Sequence, residues 1–320
     1  MTGGSSKFKI GTNPMQLPTF QNNLSVSSES YWGDSTHNSA LPTPGANGLY
    51  VNSGPATSGS GQLKTGLYIQ GNVKITPSSP GANNEVFTIA PNGGSTIGAT
   101  YTVTIDFSAG TTTVAQTTNC PCSTATYTGT LSGQPKSGTT AGNGAIFVDG
   151  NVLLGSGTIH GDYSIVVPDY TTDYSHTITL NGTAPGVLYK DQSPTSTDEL
   201  GIWANDIKVT GSNTTTGYEF DGSILTGFYG EDSPPFCPGS GCNDGNFSNS
   251  NYSTTVSGTF TFYGGLIQNS MGPMGISSGG SLQHGFSRKY KYDSRLAANP
   301  PPGFPITNRY DIVAWLDKGT

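Results

Sequence analysis

One short pattern recurs along the chain and limits what it can fold into. An aromatic or aliphatic run leads into a Gly or Asn corner, and an aliphatic pair follows. Residues 146–167 (IFVDGNVLLGSGTIHGDYSIVV) show it most fully, with Gly150 at the corner. Residues 67–75 (LYIQGNVKI) put Gly71 there, residues 218–225 (YEFDGSIL) Gly222, and residues 260–267 (FTFYGGLI) Gly264. Residues 202–209 (IWANDIKV) are a looser copy without the glycine. The alternation of apolar and polar residues is that of half-buried strands. No single copy can bury its own apolar face, so imperfect copies of one unit predict stacked coils that cover one another. The expected fold is all-β. A β-solenoid with loop excursions spans residues 63–284, an irregular N-terminal segment fills residues 1–62, and a C-terminal cap fills residues 285–320. In this register Ile146, Val148, Val152, Phe220, Ile224, Phe262 and Leu266 point inward.

Composition supports strands over helices and over disorder. The chain of 320 residues has 46 Gly and 21 Pro, short of the level that marks disorder, and its 16 Tyr and 13 Phe supply core material. Thr-rich alternations such as residues 99–107 (ATYTVTIDF) read as strands. Residues 78–144 separate the first two corner motifs by more than one coil, with strands of their own at 85–89, 100–107 and 111–116. They form either a protruding excursion or divergent coils. Residues 54–62 (GPATSGSGQ) read as a flexible connection, and residues 227–250 as a projecting loop. The opening MTGGSS reads as an artificial leader. Neither a signal peptide nor an apolar run of membrane-spanning length is visible.

Charge narrows the partners. Thirteen basic residues against twenty acidic ones give a formal charge of −7, which opposes broad attraction to nucleic acid or anionic membrane. The basic residues are nevertheless clustered. Arg288, Lys289, Lys291, Arg295, Arg309 and Lys318 all fall in the last 33 residues. The ordinary reading of such a run is a solvated face.

The four cysteines form two local pairs, Cys120/Cys122 and Cys237/Cys242. No companion His or second CxxC stands at zinc spacing. A disulfide between Cys237 and Cys242 closes a Pro/Gly loop without strain. A bridge between Cys120 and Cys122 is tight, and a cross-pairing stays open. Either arrangement fits an oxidising, extracellular setting, as does a surface of Ser, Thr and Asn.

Candidate chemistry is sparse. Asp149 and Asp221 each precede a corner glycine, so on adjacent coils they could act as a paired acid and base on a polysaccharide. Asp-Gly is also a favoured turn dipeptide, and that reading is preferred. His160 has no ligand spacing with His37, His176 or His284. Oxygen donors crowd around Glu231, Asp232, Asn243 and Asp244 without the order of an EF-hand, leaving structural calcium as the one cofactor considered. No catalytic or metal-binding residue is assigned.

The C-terminal third carries a family likeness. Gly264-Gly265-Leu266-Ile267-Gln268, Gly272-Pro273-Met274-Gly275, Tyr290-Lys291-Tyr292-Asp293, Arg295-Leu296, Pro300–Pro302 with Phe304-Pro305, and Trp315 follow in order. Together with residues 146–167 and 200–209 they resemble PilX-like pilus-associated surface proteins, in which a membrane-anchoring helix precedes a β-helical ectodomain. Within that group the chain is most similar to the β-solenoid minor pilins of the competence type IV pilus (ComZ type). The resemblance implies a non-enzymatic ectodomain at the cell surface, at or near the pilus tip, with other pilins as partners and a role in taking up extracellular DNA. It also implies attachment to a pilin-like fold, residues 1–62 retaining its remnant, and membrane anchorage through an N-terminal helix that the present sequence lacks.

Phosphate contacts normally come from Lys and Arg. Arg288, Lys289, Lys291 and Arg295, interleaved with Phe286, Tyr290 and Tyr292, are the expected contacts to double-stranded DNA. Tyr292-Asp293 and Arg295-Leu296 also belong to the shared terminal motif, which gives some of these charges a structural part. The alternatives are an adhesin or scaffold binding glycan or other pilins without DNA contact, and thirdly a polysaccharide-degrading enzyme.

Overall fold

The computed structural model describes residues 48–53, 63–94, 96–118, 124–133, 144–167, 176–211, 217–227, 245–254, 256–268 and 270–304. These are nearly all β, with no α-helix among them. β1 (Gly48–Ser53) lies antiparallel to β2 (Leu63–Gln70), and β3 (Val73–Ser78) follows a corner at Gly71. An antiparallel meander then continues outward from β3 through β4 (Asn84–Pro91), β5 (Tyr101–Asp106), β6 (Thr111–Gln116) and β7 (Thr124–Thr128). The remaining strands are β8 (Ala145–Asp149), β9 (Val152–Leu154), β10 (Gly157–Ile159), β11 (Asp162–Val167), β12 (Thr177–Gly182), β13 (Gly186–Tyr189) and β14 (Glu199–Ala204). They are followed by β15 (Asp206–Gly211), β16 (Tyr218–Thr226), β17 (Asn246–Asn249), β18 (Val256–Ile267), β19 (Ser270–Met271), β20 (Gly275–Ser278) and β21 (Ser281–Tyr292).

Two large mixed sheets result. One runs β1-β2-β8-β11-β14-β16-β18-β21-β20, with β10 and β13 joined to it through β16. The other runs β19-β17-β15-β12-β9-β3-β4-β5-β6-β7. From β11 to β19 the chain passes repeatedly from one sheet to the other, and each return lies parallel to a strand already in place. Long strands also bend between faces. The first half of β16 pairs with β13 at Glu219 and Phe220, and the second half pairs with β14 from Ser223 to Thr226.

This pairing follows from the side chains. Leu67, Ile146, Ile165, Ile202, Ile224 and Leu266 occupy one register row across six strands, and all but Leu266 are fully buried. In the facing sheet Val73, Val152, Ile178, Ile207 and Phe247 form the matching row. Branched side chains pack well on a pleated surface, and each fully buried one contributes about 1.5–3 kcal/mol. Ile146, Val148, Val152, Phe220, Ile224 and Phe262 all join the main core, with Leu266 packed against it.

The recurring sequence pattern marks two different corners. Gly71 and Gly150 stack at the turn between the sheets, where a Cβ on Gly150 would sit 2.6 Å from the Gly71 carbonyl carbon. Gly222 and Gly264 stack at the bend inside β16 and β18, where a Cβ on Gly264 would lie 1.7 Å from the Gly222 oxygen. Asp149 therefore pairs with Gln70 and Asp221 with Tyr263, so the two do not share the row that a paired acid and base would need. The proposed strands at 85–89, 100–107 and 111–116 fall on β4, β5 and β6, whereas β7 was not foreseen. β1 lies in the segment expected to be irregular, and the 284/285 boundary falls inside β21.

Beyond β21 the chain folds back along the outside of the first sheet. Residues Ser294–Ala297 form a 3₁₀ turn, Ser164 Oγ donates to the Pro302 carbonyl at 2.6 Å, and Phe304 packs beside Trp203. The outward-facing residues Tyr68, Phe147, Val166, Trp203 and Leu225 make a second apolar cluster with it. No helix among the described residues is long and apolar enough to cross a membrane.

Candidate nucleic-acid interface

β21 is where the inward columns of the first sheet end. Tyr218 stacks on Phe260 at 5.8 Å, and the next position in that column is Arg288. Phe220 stacks on Phe262 at 6.0 Å, and the next is Tyr290, whose ring meets Phe262 edge-on at 5.6 Å. Among the described residues no strand lies beyond Arg288 and Tyr290 in these columns, and both are amphipathic side chains. Tyr290 is 47% exposed and Tyr292 64%. Arg288 Nη1 lies 3.9 Å from the sulfur of Met271, which is itself 75% exposed. Burial of the Tyr290 ring raises its phenol pKa, and adjacent Arg288 works against that rise.

Strand alternation divides the predicted site. Arg288, Tyr290 and Tyr292 share the face that continues the core, in register with Phe260, Phe262 and Gly264. Lys289 and Lys291 share the opposite face, in register with Thr261 and Tyr263, and Lys291 Nζ sits 4.4 Å above the Tyr263 ring. All five are exposed. β20 pairs with β21 only from Ser281 to Gly285. Among the described residues no strand lies along the outer edge of residues 287–292.

Arg295 is placed apart from this strip. It is 6% exposed, and its guanidinium donates to both oxygens of Asp293, with Nη2 2.6 Å from Oδ2. Nη2 also lies 3.7 Å from Glu199 Oε1, and the guanidinium covers the Tyr189 ring at 4.8 Å. Against burial, the hydrogen bonds from Arg295 hold the Asp293 carboxyl below its ordinary value. A side chain so engaged has no donor turned to solvent for a phosphate. Its part is to tie the chain after β21 to β14.

Buried acids gather at the same bend. Asp162 and Glu199 are register partners, and Asp221 lies in the neighbouring strand. Burial pushes Glu199 up to about 7, with Arg295 opposing, and Asp221 up to about 6. Asp221 Oδ2 accepts from the Tyr189 amide at 2.9 Å and from Gln192 Nε2 at 2.7 Å. Farther along, burial drives Glu85 up to about 9 although Ser79 Oγ and the His160 amide donate to it. His160 Nδ1 stands 2.9 Å from Asp198 Oδ1, and the Phe107 ring meets the imidazole edge-on at 4.8 Å. The sequence singles out only Asp221 among these acids, and as a turn residue. The only signal for Asp162 and Glu199 was an acid opening an apolar run, as in DYSIVV and ELGIWA.

Among the described residues no group of three or more His, Cys, Asp or Glu could hold a metal ion. Cys120, Cys122, Cys237 and Cys242 lie outside the described residues, as do Glu231, Asp232, Asn243, Asp244, Arg309, Trp315 and Lys318. No protein-family model, curated protein or solved structure matches the chain.

Proposed function

We propose that the chain is a β-solenoid ectodomain of a minor pilin, displayed at or near the tip of a type IV pilus, that binds extracellular DNA at its β21 end. Successive strands that return parallel beside their predecessors support the solenoid, and the ordered C-terminal motifs support the pilin kinship. The observation that carries the DNA reading is the exposed strip of Arg288, Lys289, Tyr290, Lys291 and Tyr292 on the terminal strand of an otherwise acidic chain. Three neighbouring cations supply phosphate contacts, while the chain's overall formal charge of −7 disfavours phosphate elsewhere on it. The buried acids suit a framework role better than hydrolysis, because a substrate does not reach carboxyls closed off from solvent.

The test is binding of labelled duplex DNA at low salt by the wild-type chain and by an Arg288→Ala/Lys289→Ala/Lys291→Ala variant. Loss of binding in a variant that still melts like wild type supports the assignment, and undiminished binding removes it. A second reading, an adhesin or scaffold for other pilins, draws on Met271 and Ile276, exposed near the same end at 75% and 41%. It predicts no DNA binding at all.

A further inference from the structure

We infer that the face formed by Arg288, Tyr290 and Tyr292 stacks unpaired bases, so that this end takes single-stranded DNA in preference to duplex; this rests on the DNA reading above. The two tyrosines stand at i and i+2 on one face of a strand, about 6.8 Å apart along it. That is about twice the 3.4 Å separation of stacked bases in a DNA strand. The spacing gives room for one base between the rings. In a duplex the base faces are already covered by their neighbours, and only base edges show in the grooves. An exposed tyrosine pair beside an arginine therefore gains most from a strand whose bases are free to leave the stack.

The opposite face completes the arrangement. Lys289 and Lys291 lie across the strand from the tyrosines, and the edge between the two faces carries no paired strand among the described residues. A single strand drawn over this edge places bases on the tyrosine side and phosphates within reach of the lysines. The three cations also separate this surface from a sugar-stacking platform, since a neutral glycan has no use for them.

The experiment is fluorescence anisotropy with a labelled 20-nucleotide oligo(dT) and a duplex of equal length, at one low salt concentration. It compares the wild-type chain with Tyr290→Leu/Tyr292→Leu and Tyr290→Phe/Tyr292→Phe variants. Wild type is expected to hold the single strand more tightly than the duplex. The leucine variant is expected to lose about tenfold or more on the single strand, the scale of one base stack, and distinctly less than that on the duplex. The phenylalanine variant, which keeps the rings, retains single-strand binding. Equal or tighter duplex binding by wild type overturns the inference, as does a leucine variant that weakens both ligands alike. Failure of wild type to bind either ligand overturns the DNA reading beneath it.

Discussion

Arg295 and Asp293 form a buried ion pair across two residues, with Nη2 2.6 Å from Oδ2 and side chains only 4% and 0% exposed. Removing the cation strands Asp293 beside Glu199 in an environment that water does not reach. Arg295→Ala is expected to cost about 3–5 kcal/mol in a denaturant melt, the usual consequence of orphaning a buried charge. Arg295→Lys restores little, because one ammonium cannot repeat the forked contact. DNA affinity measured where the variant is still folded is expected to stay at the wild-type value.

Stability is expected to fall as pH rises. Glu85, Glu199 and Asp221 keep their protons in the folded chain up to about 9, 7 and 6, against ordinary values of 4.5, 4.5 and 3.8. Folding therefore takes up protons in those windows. Each contribution is complete below the ordinary value and is lost as pH rises through the folded one. The slope is at most about 1.4 kcal/mol per pH unit for each group. It is steepest below about 6, and between 7 and 9 it comes from Glu85. Urea midpoints from pH 5 to 9 check this, and Glu85→Gln is expected to flatten the alkaline part.

Val152 sits between Val73 and Ile178 in the inward row of the second sheet and is 1% exposed. Val152→Asp is expected to destabilise the fold by at least about 3 kcal/mol, since it carries a carboxyl into the apolar core. Unchanged thermal melting would sink the register.

The stacked glycines make a sharper test of backbone packing. A Cβ on Gly264 collides with the Gly222 oxygen at 1.7 Å, whereas one on exposed Gly98 meets no heavy atom within 4 Å. Gly264→Ala is expected to cost about 1–3 kcal/mol, through forced separation of β16 and β18. Gly98→Ala is expected to stay within about 0.5 kcal/mol of wild type. Differential scanning calorimetry on the two variants reads the contrast.

The all-β class and the inward row from Ile146 to Phe262 were legible because alternation on a strand records which face is buried. The distinction between the two corners was not. Gly150 and Gly222 look alike in sequence, and only pairing with Gly71 in one case and Gly264 in the other separates them. The basic strip was legible as composition but not as geometry. Strand parity divides Arg288 from Lys289, and the turn after Tyr292 carries Arg295 inward onto Asp293 and Glu199. Glu85 was hidden for a different reason. Its burial depends on Ser79 and on His160, 75 residues away, and no local pattern encodes that contact.

The salt dependence of DNA binding by the unmodified chain tests the account most directly. Three phosphate-contacting cations predict a plot of log K against log salt concentration with a slope of about −2 to −3. Binding at low salt with that slope is the expected result. No binding at low salt, or binding that salt leaves unchanged, would contradict an electrostatic DNA contact at β21.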